Sequence, residues 1–302
     1  ALTKPRITLM VLVSAGAGYL AGAAGNASLW RLLVASIGIA LVAGGTSAVN
    51  MVMEREVDAR MVRTRGRPLP AGRVTVHGAS VFSLAVTLIG ITFLALFVNI
   101  LTAILATVAF LTYVLAYTPL KRVSSLSTLV GAVPGALPIM GGWTAATGSI
   151  DPGAWALFGI LFFWQLPHFL ALAWMYRDDY RQGGLRMLGV SDPSGRQTRH
   201  QSVLYALALL PTSLLPVLLG LTGTAYALAA LVLTGTYVAS ALRFAYRADS
   251  PAARGLFRVS LLYLPLLLML LTIDGRQLGP DTDGPQVVAE RPVDEVQPLR
   301  VR

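Results

Sequence analysis

The 302-residue chain contains no cysteine, which excludes a disulfide framework, a thiolate metal site and a cysteine nucleophile. Any metal must be held by oxygen or nitrogen. Charge is also scarce. Only 13% of the residues are Asp, Glu, Lys or Arg and 55% are hydrophobic, with a mean hydropathy of +0.66, whereas soluble domains carry about 25% charge. That deficit excludes a soluble globule and leaves an all-α integral membrane protein that spans the bilayer several times. Histidine is nearly absent too, with three in the chain, and His168 alone lies well inside an apolar run. No small-residue cleavage site follows the first apolar run, so that run is expected to be retained as a helix.

What the chain has instead is length in its apolar runs. Nine stretches approach or exceed the ~20 residues that cross a bilayer: 7–25, 29–53, 77–97, 98–117, 127–147, 153–175, 202–221, 224–246 and 256–273. They make 1–274 one transmembrane domain, and 275–302, mixed in charge and rich in Pro and Gly, reads as a disordered tail. The net charge is +10, but its distribution says more than its sum. Of 24 Lys and Arg, two precede the first span, seventeen fall in or beside the connections after even-numbered spans, and Arg31 alone falls after an odd-numbered one. The positive-inside rule then puts the amino terminus and the even connections in the cytoplasm and the carboxyl terminus outside. The basic surplus marks topology and phosphate rather than nucleic acid.

The second span ends in Asn50, Glu54 and Asp58, followed by Arg63, Arg65 and Arg67. A spacing of four residues keeps three oxygen ligands on one helix face, drifting about 40° per step. Mg²⁺ is a hard ion that takes one or two carboxylates and completes its shell with water and phosphate oxygens, and the arginines that follow suit the rest of such a phosphate. The competing reading is a helix end with solvated surface charges. On the metal reading too the helix end is expected to be exposed, so that Asp58→Asn should abolish activity and leave folding nearly intact. A second acidic pair, Asp178 and Asp179, follows the sixth span and is expected on the same side. Lys121 and Arg122 end the fourth span there as well, as anchors or as diphosphate ligands. The fifth span, with Gly131, Pro134, Gly135, Pro138, Gly141 and Gly142, holds too many breakers for a smooth helix and is expected to be broken and to wall a chamber. The last three spans read as scaffold and lipid contact.

Together these stretches resemble the UbiA superfamily of intramembrane prenyltransferases, whose first Asp-rich motif, Asn-x-x-x-Asp-x-x-x-Asp, is matched by Asn50, Glu54 and Asp58 with Glu in the middle place. Within it, Leu2 to Arg6, Arg63 to Pro68, Tyr117 to Arg122, Gly141 to Gly148 and Trp164 to Phe169 are similar, in that order, to its haem-farnesylating branch. The resemblance implies a nine-helix prenyltransferase bundle in the inner membrane of a bacterium, with its active site on the cytoplasmic side. It also implies Mg²⁺-dependent transfer of farnesyl from farnesyl diphosphate to a vinyl group of haem B, and downstream haem-processing or terminal oxidase assembly proteins as partners. The implied roles are Asn50, Glu54, Asp58 and Asp179 as metal ligands, catalytic together with Lys121; Arg63, Arg67, Lys121 and Arg122 on the diphosphate; and His168, Gln165 and Trp164 on the haem. The spaced acid pair of many relatives is missing, since Gly183 stands four residues after Asp179. His168 has an equal reading as a hydrogen-bonded structural residue. Two further functions are open from the residues: prenyl transfer to a small aromatic acid in quinone synthesis, and transport of an anionic lipid or phosphate compound.

Overall fold

The computed structural model describes residues 2–275, so the tail expected to be disordered lies outside the described residues except for its first residue. In chain order the helices are α1 Pro5–Gly22, α2 Leu29–Met53, α3 Arg55–Arg60, α4 Val76–Phe97, α5 Ile100–Leu120, α6 Ser127–Thr147, α7 Pro152–Met175, α8 Arg177–Gln182, α9 Leu188–Ser191, α10 Arg196–Leu218, α11 Thr224–Arg247 and α12 Ser250–Gly275. There is no strand among the described residues. Nine of these helices are long, and eight are long and apolar enough to cross a membrane. The ninth, α1, opens on Pro5 and Arg6 and falls outside that count. Helices α10 and α12 each begin six residues before their apolar runs, because the polar turns ahead of them continue as helix.

Polar residues placed just before apolar runs start several of the helices. The side chains of Ser28, Thr75, Asn99 and Asp151 accept hydrogen bonds from the first free backbone N–H groups of α2, α4, α5 and α7, which would otherwise go unpaired. The long helices run up and down, with short turns at one end, α2 against α4, α1 against α6, and α7 against α6, α10 and α12. Side chains such as Leu88, Leu96, Phe97, Leu115 and Val232 point outward from this bundle, 64–72% exposed. In water such a surface would aggregate, whereas in a bilayer it is the lipid face.

Helix α6 corrects one expectation. It runs unbroken from Ser127 to Thr147 with Pro134 and Pro138 inside it, and it is the most buried of the long helices. Its glycines serve packing instead of breaking. A Cβ at Gly131 would strike the Tyr117 ring, one at Gly135 the Gln165 amide, and one at Gly142 the Ala15 carbonyl. Small residues let helices approach closely where lipid offers no hydrophobic drive to pack them. The Gln165 amide answers by donating to Ala132 O at 2.7 Å.

Candidate active site

Both acidic segments are built the same way. Helix α2 ends at Met53, Glu54 adopts φ −97°, ψ 8°, and the six-residue α3 follows. Helix α7 ends at Met175, Tyr176 adopts φ −110°, ψ 20°, and the six-residue α8 follows. Such bridge-region residues turn a helix axis without ending the chain's helical course. Hydrogen bonds from Glu54 N to Asn50 O (2.9 Å) and from Asp58 N to Glu54 O (2.7 Å) carry the ladder across the first break, so Asn50, Glu54 and Asp58 still look the same way. The two short helices then pack together through Val57, Met61, Tyr180, Leu185 and Met187. Val62 N donates to Asp179 Oδ1 at 2.8 Å across that contact, which ties the second acidic segment to the first.

The third wall is α5. Residues Thr112–Tyr117 form a π-helical turn, a widening found mostly at functional sites. It places Tyr113 and Tyr117 edge to face at 5.0 Å and sets Lys121 Nζ over the Tyr117 ring at 4.6 Å. The Thr118 hydroxyl donates to Tyr113 O at 2.9 Å and accepts from Asn50 Nδ2 at 3.3 Å. The Asn50 amide is thereby oriented with its oxygen toward the amino-terminal segment, where Lys4 Nζ donates to it at 2.9 Å. These elements enclose a cavity of about 150 Å³ lined by Lys4, Asn50, Glu54, Asp58, Arg63, Arg67, Tyr113, Tyr117, Lys121, Thr128 and Tyr180, among others.

Charge inside this cavity is paired. Arg67 Nη1 donates to Asp58 Oδ2 at 2.7 Å, Lys121 Nζ meets Glu54 Oε1, and Arg63 Nε lies 3.8 Å from Asp179 Oδ2. Arg63 also lies 5.0 Å from the centre of the Tyr176 ring and 5.8 Å from that of Tyr180. Asp58 is fully buried and Asn50, Glu54 and Lys121 nearly so, which corrects the expectation of an exposed helix end. Burial, with Arg67 close by, lowers the Lys4 ammonium to about 8, and burial raises the Tyr180 phenol, keeping it neutral.

Of the residues singled out from the sequence, Asn50, Glu54, Asp58, Arg63, Arg67 and Lys121 line the cavity, and Asp179 is held at it through Val62 and Arg63. Arg122 is not brought in. Its guanidinium donates to Met53 O at 3.0 Å, capping the last turn of α2 from outside. Asp178 is also outside, paired with Arg181 at the surface. His168, Gln165 and Trp164 sit deeper on α7. His168 Nδ1 is 2.7 Å from Ser260 Oγ, Trp164 Nε1 donates to Ser260 O at 2.9 Å, and the His168 ring stacks between Trp164 and Phe257. Sequence reasoning assigns no role to Lys4, Tyr113 or Ser260. For Lys4 the signal was present, a cation just before Pro5 and the first span. For Tyr113 it was the four-residue step to Tyr117 and on to Lys121.

The residues fit a hard divalent cation. Asp58 Oδ1 and Asp179 Oδ2 are buried with no hydrogen-bond partner, a costly state for carboxylate oxygens and one that an oxygen-seeking cation relieves. Yet no three His, Cys, Asp or Glu among the described residues converge on one point. A larger groove of about 650 Å³ lies on the outside of α1, α2 and α4, lined by residues such as Leu9, Leu12, Leu41 and Phe82 with no ionisable group, and so holds none of this chemistry.

Comparison with known proteins identifies the family. Residues 11–264 match the UbiA prenyltransferase family. A protoheme IX farnesyltransferase of Solibacter usitatus is 44% identical over 282 residues, covering 90% of this chain and 97% of the relative. A digeranylgeranylglyceryl phosphate synthase structure superposes with a TM-score of 0.77 at 16% identity, over 91% of this chain and 96% of that one. A UbiA homolog from Archaeoglobus fulgidus bound to GPP and Mg²⁺ gives a TM-score of 0.61 at 16% identity, over 90% and 98%. A basic and acidic cavity at one end of a nine-helix bundle, matched along nearly its whole length in sequence and in fold, leaves one assignment: the chain belongs to the UbiA prenyltransferase family.

Proposed function

We propose that this chain transfers a farnesyl group from farnesyl diphosphate to a vinyl group of haem B, giving haem O and diphosphate, at the cytoplasmic face of a bacterial inner membrane. The observation that carries the transferase half is the cavity itself, where Lys4, Arg63, Arg67 and Lys121 face Asn50, Glu54 and Asp58, with Asp179 paired to Arg63 beside it. The acceptor rests on the relatives named protoheme IX farnesyltransferase, 39–46% identical over about nine-tenths of this chain.

The reaction needs positioning and charge more than a nucleophilic side chain. The allylic C–O bond breaks with its electron pair on the diphosphate, and the vinyl group supplies the pair for the new C–C bond. Water then adds to the resulting cation and gives up a proton, leaving the hydroxyl. Lys4, Arg63, Arg67 and Lys121 would hold the diphosphate and oppose the charge that grows on it. Asn50, Glu54, Asp58 and Asp179 would hold Mg²⁺, which supplies further neutralisation of that leaving group when bound. The half-buried rings of Tyr113 and Tyr117 would help to keep water from the breaking bond.

Deeper in the bundle, Ser260 Oγ donates to Phe257 O at 2.6 Å and so accepts from His168 Nδ1–H. That hydrogen bond leaves the lone pair on Nε2, the nitrogen an iron would take, and supports His168 on the haem side, with Trp164 and Gln165 beside it. Purified protein given farnesyl diphosphate, Mg²⁺ and haem B should release pyrophosphate and yield a haem heavier by one farnesyl group and one hydroxyl in mass spectrometry. Release with 4-hydroxybenzoate and none with haem B would assign the chain to quinone-type prenylation, and no release with either would end the transferase reading.

A further inference from the structure

Two threonine hydroxyls line the cavity, and they differ. Thr64 Oγ1 donates to Asp58 O at 2.9 Å, whereas Thr128 Oγ1 is buried and has no hydrogen-bond partner among the described residues. Elsewhere in the bundle a helical threonine returns its hydroxyl to the carbonyl one turn back, as Thr46, Thr87, Thr107 and Thr212 do at 2.7–2.8 Å. Thr128 is the second residue of α6 and has no helical turn behind it. Leaving a buried hydroxyl unpaired is costly to the fold, so its place in the cavity points to a ligand. We propose that Thr128 is a positioning residue, holding the water that is consumed in the last step of the reaction. The inference rests on the haem-farnesylation reading, because prenyl transfer to an aromatic acid consumes no water.

The position of Thr128 joins the two halves of the chemistry. One turn along α6, Gly131 packs on the Tyr117 ring, over which Lys121 Nζ lies at 4.6 Å. Also one turn along, Ala132 O accepts from Gln165 of the antiparallel α7. Phe169 is one turn from Gln165 towards the same end as Thr128, and with Leu172 it forms an apolar wall of the cavity. Thr128 therefore stands between the cationic side, where the diphosphate leaves, and the helix that carries His168. The reaction makes two carbocations in turn. Water reaching the farnesyl cation would give farnesyl alcohol and waste the donor, while the cation left on the acceptor must take up water to become the hydroxyl. A site that keeps out bulk water and still needs one molecule meets both demands by fixing that molecule in place. The water oxygen gives its electron pair to the acceptor carbon as the new C–O bond forms, and its proton passes to an oxygen of the departed diphosphate. An ordered water takes two to four polar partners. The Thr128 hydroxyl, which can donate or accept, and a diphosphate oxygen supply two.

The test is the product made by the full chain in detergent from farnesyl diphosphate, Mg²⁺ and haem B, separated by chromatography before mass spectrometry. An acceptor cation that meets no water loses a proton instead and leaves an alkene, lighter by one water than the hydroxylated haem. Thr128→Val removes the hydroxyl and keeps the shape, so the ratio of alkene to hydroxylated product should rise about tenfold, the upper end for one hydrogen bond. Thr128→Ser should restore the parent ratio. Ser127→Ala is the control, since Ser127 Oγ is also buried without a partner but does not line the cavity, and it should leave the ratio unchanged. The ratio is read within each sample, so a slow variant answers as clearly as a fast one, and Thr128→Ala replaces the valine variant if that does not fold. A parent-like ratio without the Thr128 hydroxyl overturns the proposal, and a raised KM for farnesyl diphosphate beside it would put the hydroxyl on the diphosphate. A rise of the same size in Ser127→Ala overturns it as well, as an effect of packing. A parent enzyme that makes neither haem product fails the haem reading itself, which keeps the two failures apart.

Discussion

Asp58 carries the sharpest consequence at the scale of single residues, because it is buried and paired where the sequence suggested an exposed helix end. Asp58→Asn should abolish pyrophosphate release at saturating Mg²⁺, and it should also cost stability. Removing one partner of a buried ion pair costs about 3–5 kcal/mol; the Arg67 side chain keeps 27% of its surface, so the cost should fall below that range. Thermal unfolding in detergent reads this loss, and an unchanged melting temperature would contradict the burial. His168→Ala should change the absorption spectrum and affinity of bound haem while Mg²⁺-dependent binding of farnesyl diphosphate stays close to that of the parent. The diphosphate cavity is built by other residues, and an unchanged haem titration would return His168 to a structural role. At this scale the sequence announced Asn50, Glu54, Asp58, Arg63 and Arg67 through spacing alone, since four-residue steps survive folding as a shared face. Ser260 was not legible, because it meets His168 across 92 residues of chain and sits in no patterned stretch; Lys4 showed its charge ahead of Pro5, but not its partner 46 residues away.

Elements were legible by apolar length and misjudged where length did not decide. Helix α6 has the same residues whether broken or whole. Its glycines are explained only by what stands opposite them, the Tyr117 ring, the Gln165 amide and the Ala15 carbonyl, none of which sequence distance reveals. Two neighbouring glycines test this. A Cβ at Gly142 runs into the Ala15 backbone carbonyl, whereas one at Gly141 meets nothing within 4 Å. Gly142→Ala should therefore force α1 and α6 apart and destabilise by about 1–3 kcal/mol, while Gly141→Ala should be neutral or gain up to about 1 kcal/mol from helix propensity. Similar melting temperatures for the two variants would refute the packing account. The start of α10 gives a pH-dependent counterpart. Asp192 is buried, which by itself would raise its pKa, but it accepts from Thr198 N, Thr198 Oγ1 and Ser194 Oγ at 2.9–3.0 Å, and these bonds hold it below the usual carboxylate value. A depressed folded-state pKa stabilises above the unfolded value near 4 and is lost as pH falls through the folded one. Asp192→Asn should thus lower the melting temperature at neutral pH and make little difference at strongly acidic pH.

For the molecule as a whole, the connections carrying Arg63, Lys121 and Asp179 meet at one end of the bundle around one cavity, and the short turns meet at the other. The alternation of basic and uncharged connections made this legible before any contact was known, because an up-and-down bundle with short turns returns every second connection to the same side. What alternation could not reveal is how the two acidic ends meet, which depends on the breaks at Glu54 and Tyr176. The absence of cysteine makes the arrangement directly testable. Gly66 and Ser149 are both exposed, at opposite ends of the bundle, and a Cβ at Gly66 meets nothing within 4 Å, so a side chain there disturbs no packing. In inside-out membrane vesicles an impermeant thiol reagent should label Gly66→Cys at once and Ser149→Cys only after the vesicles are opened, and in right-side-out vesicles the order should reverse. Labelling of both from one side would break the up-and-down reading. The reverse order would keep the fold but turn the diphosphate cavity away from the cytoplasm, against the positive-inside rule.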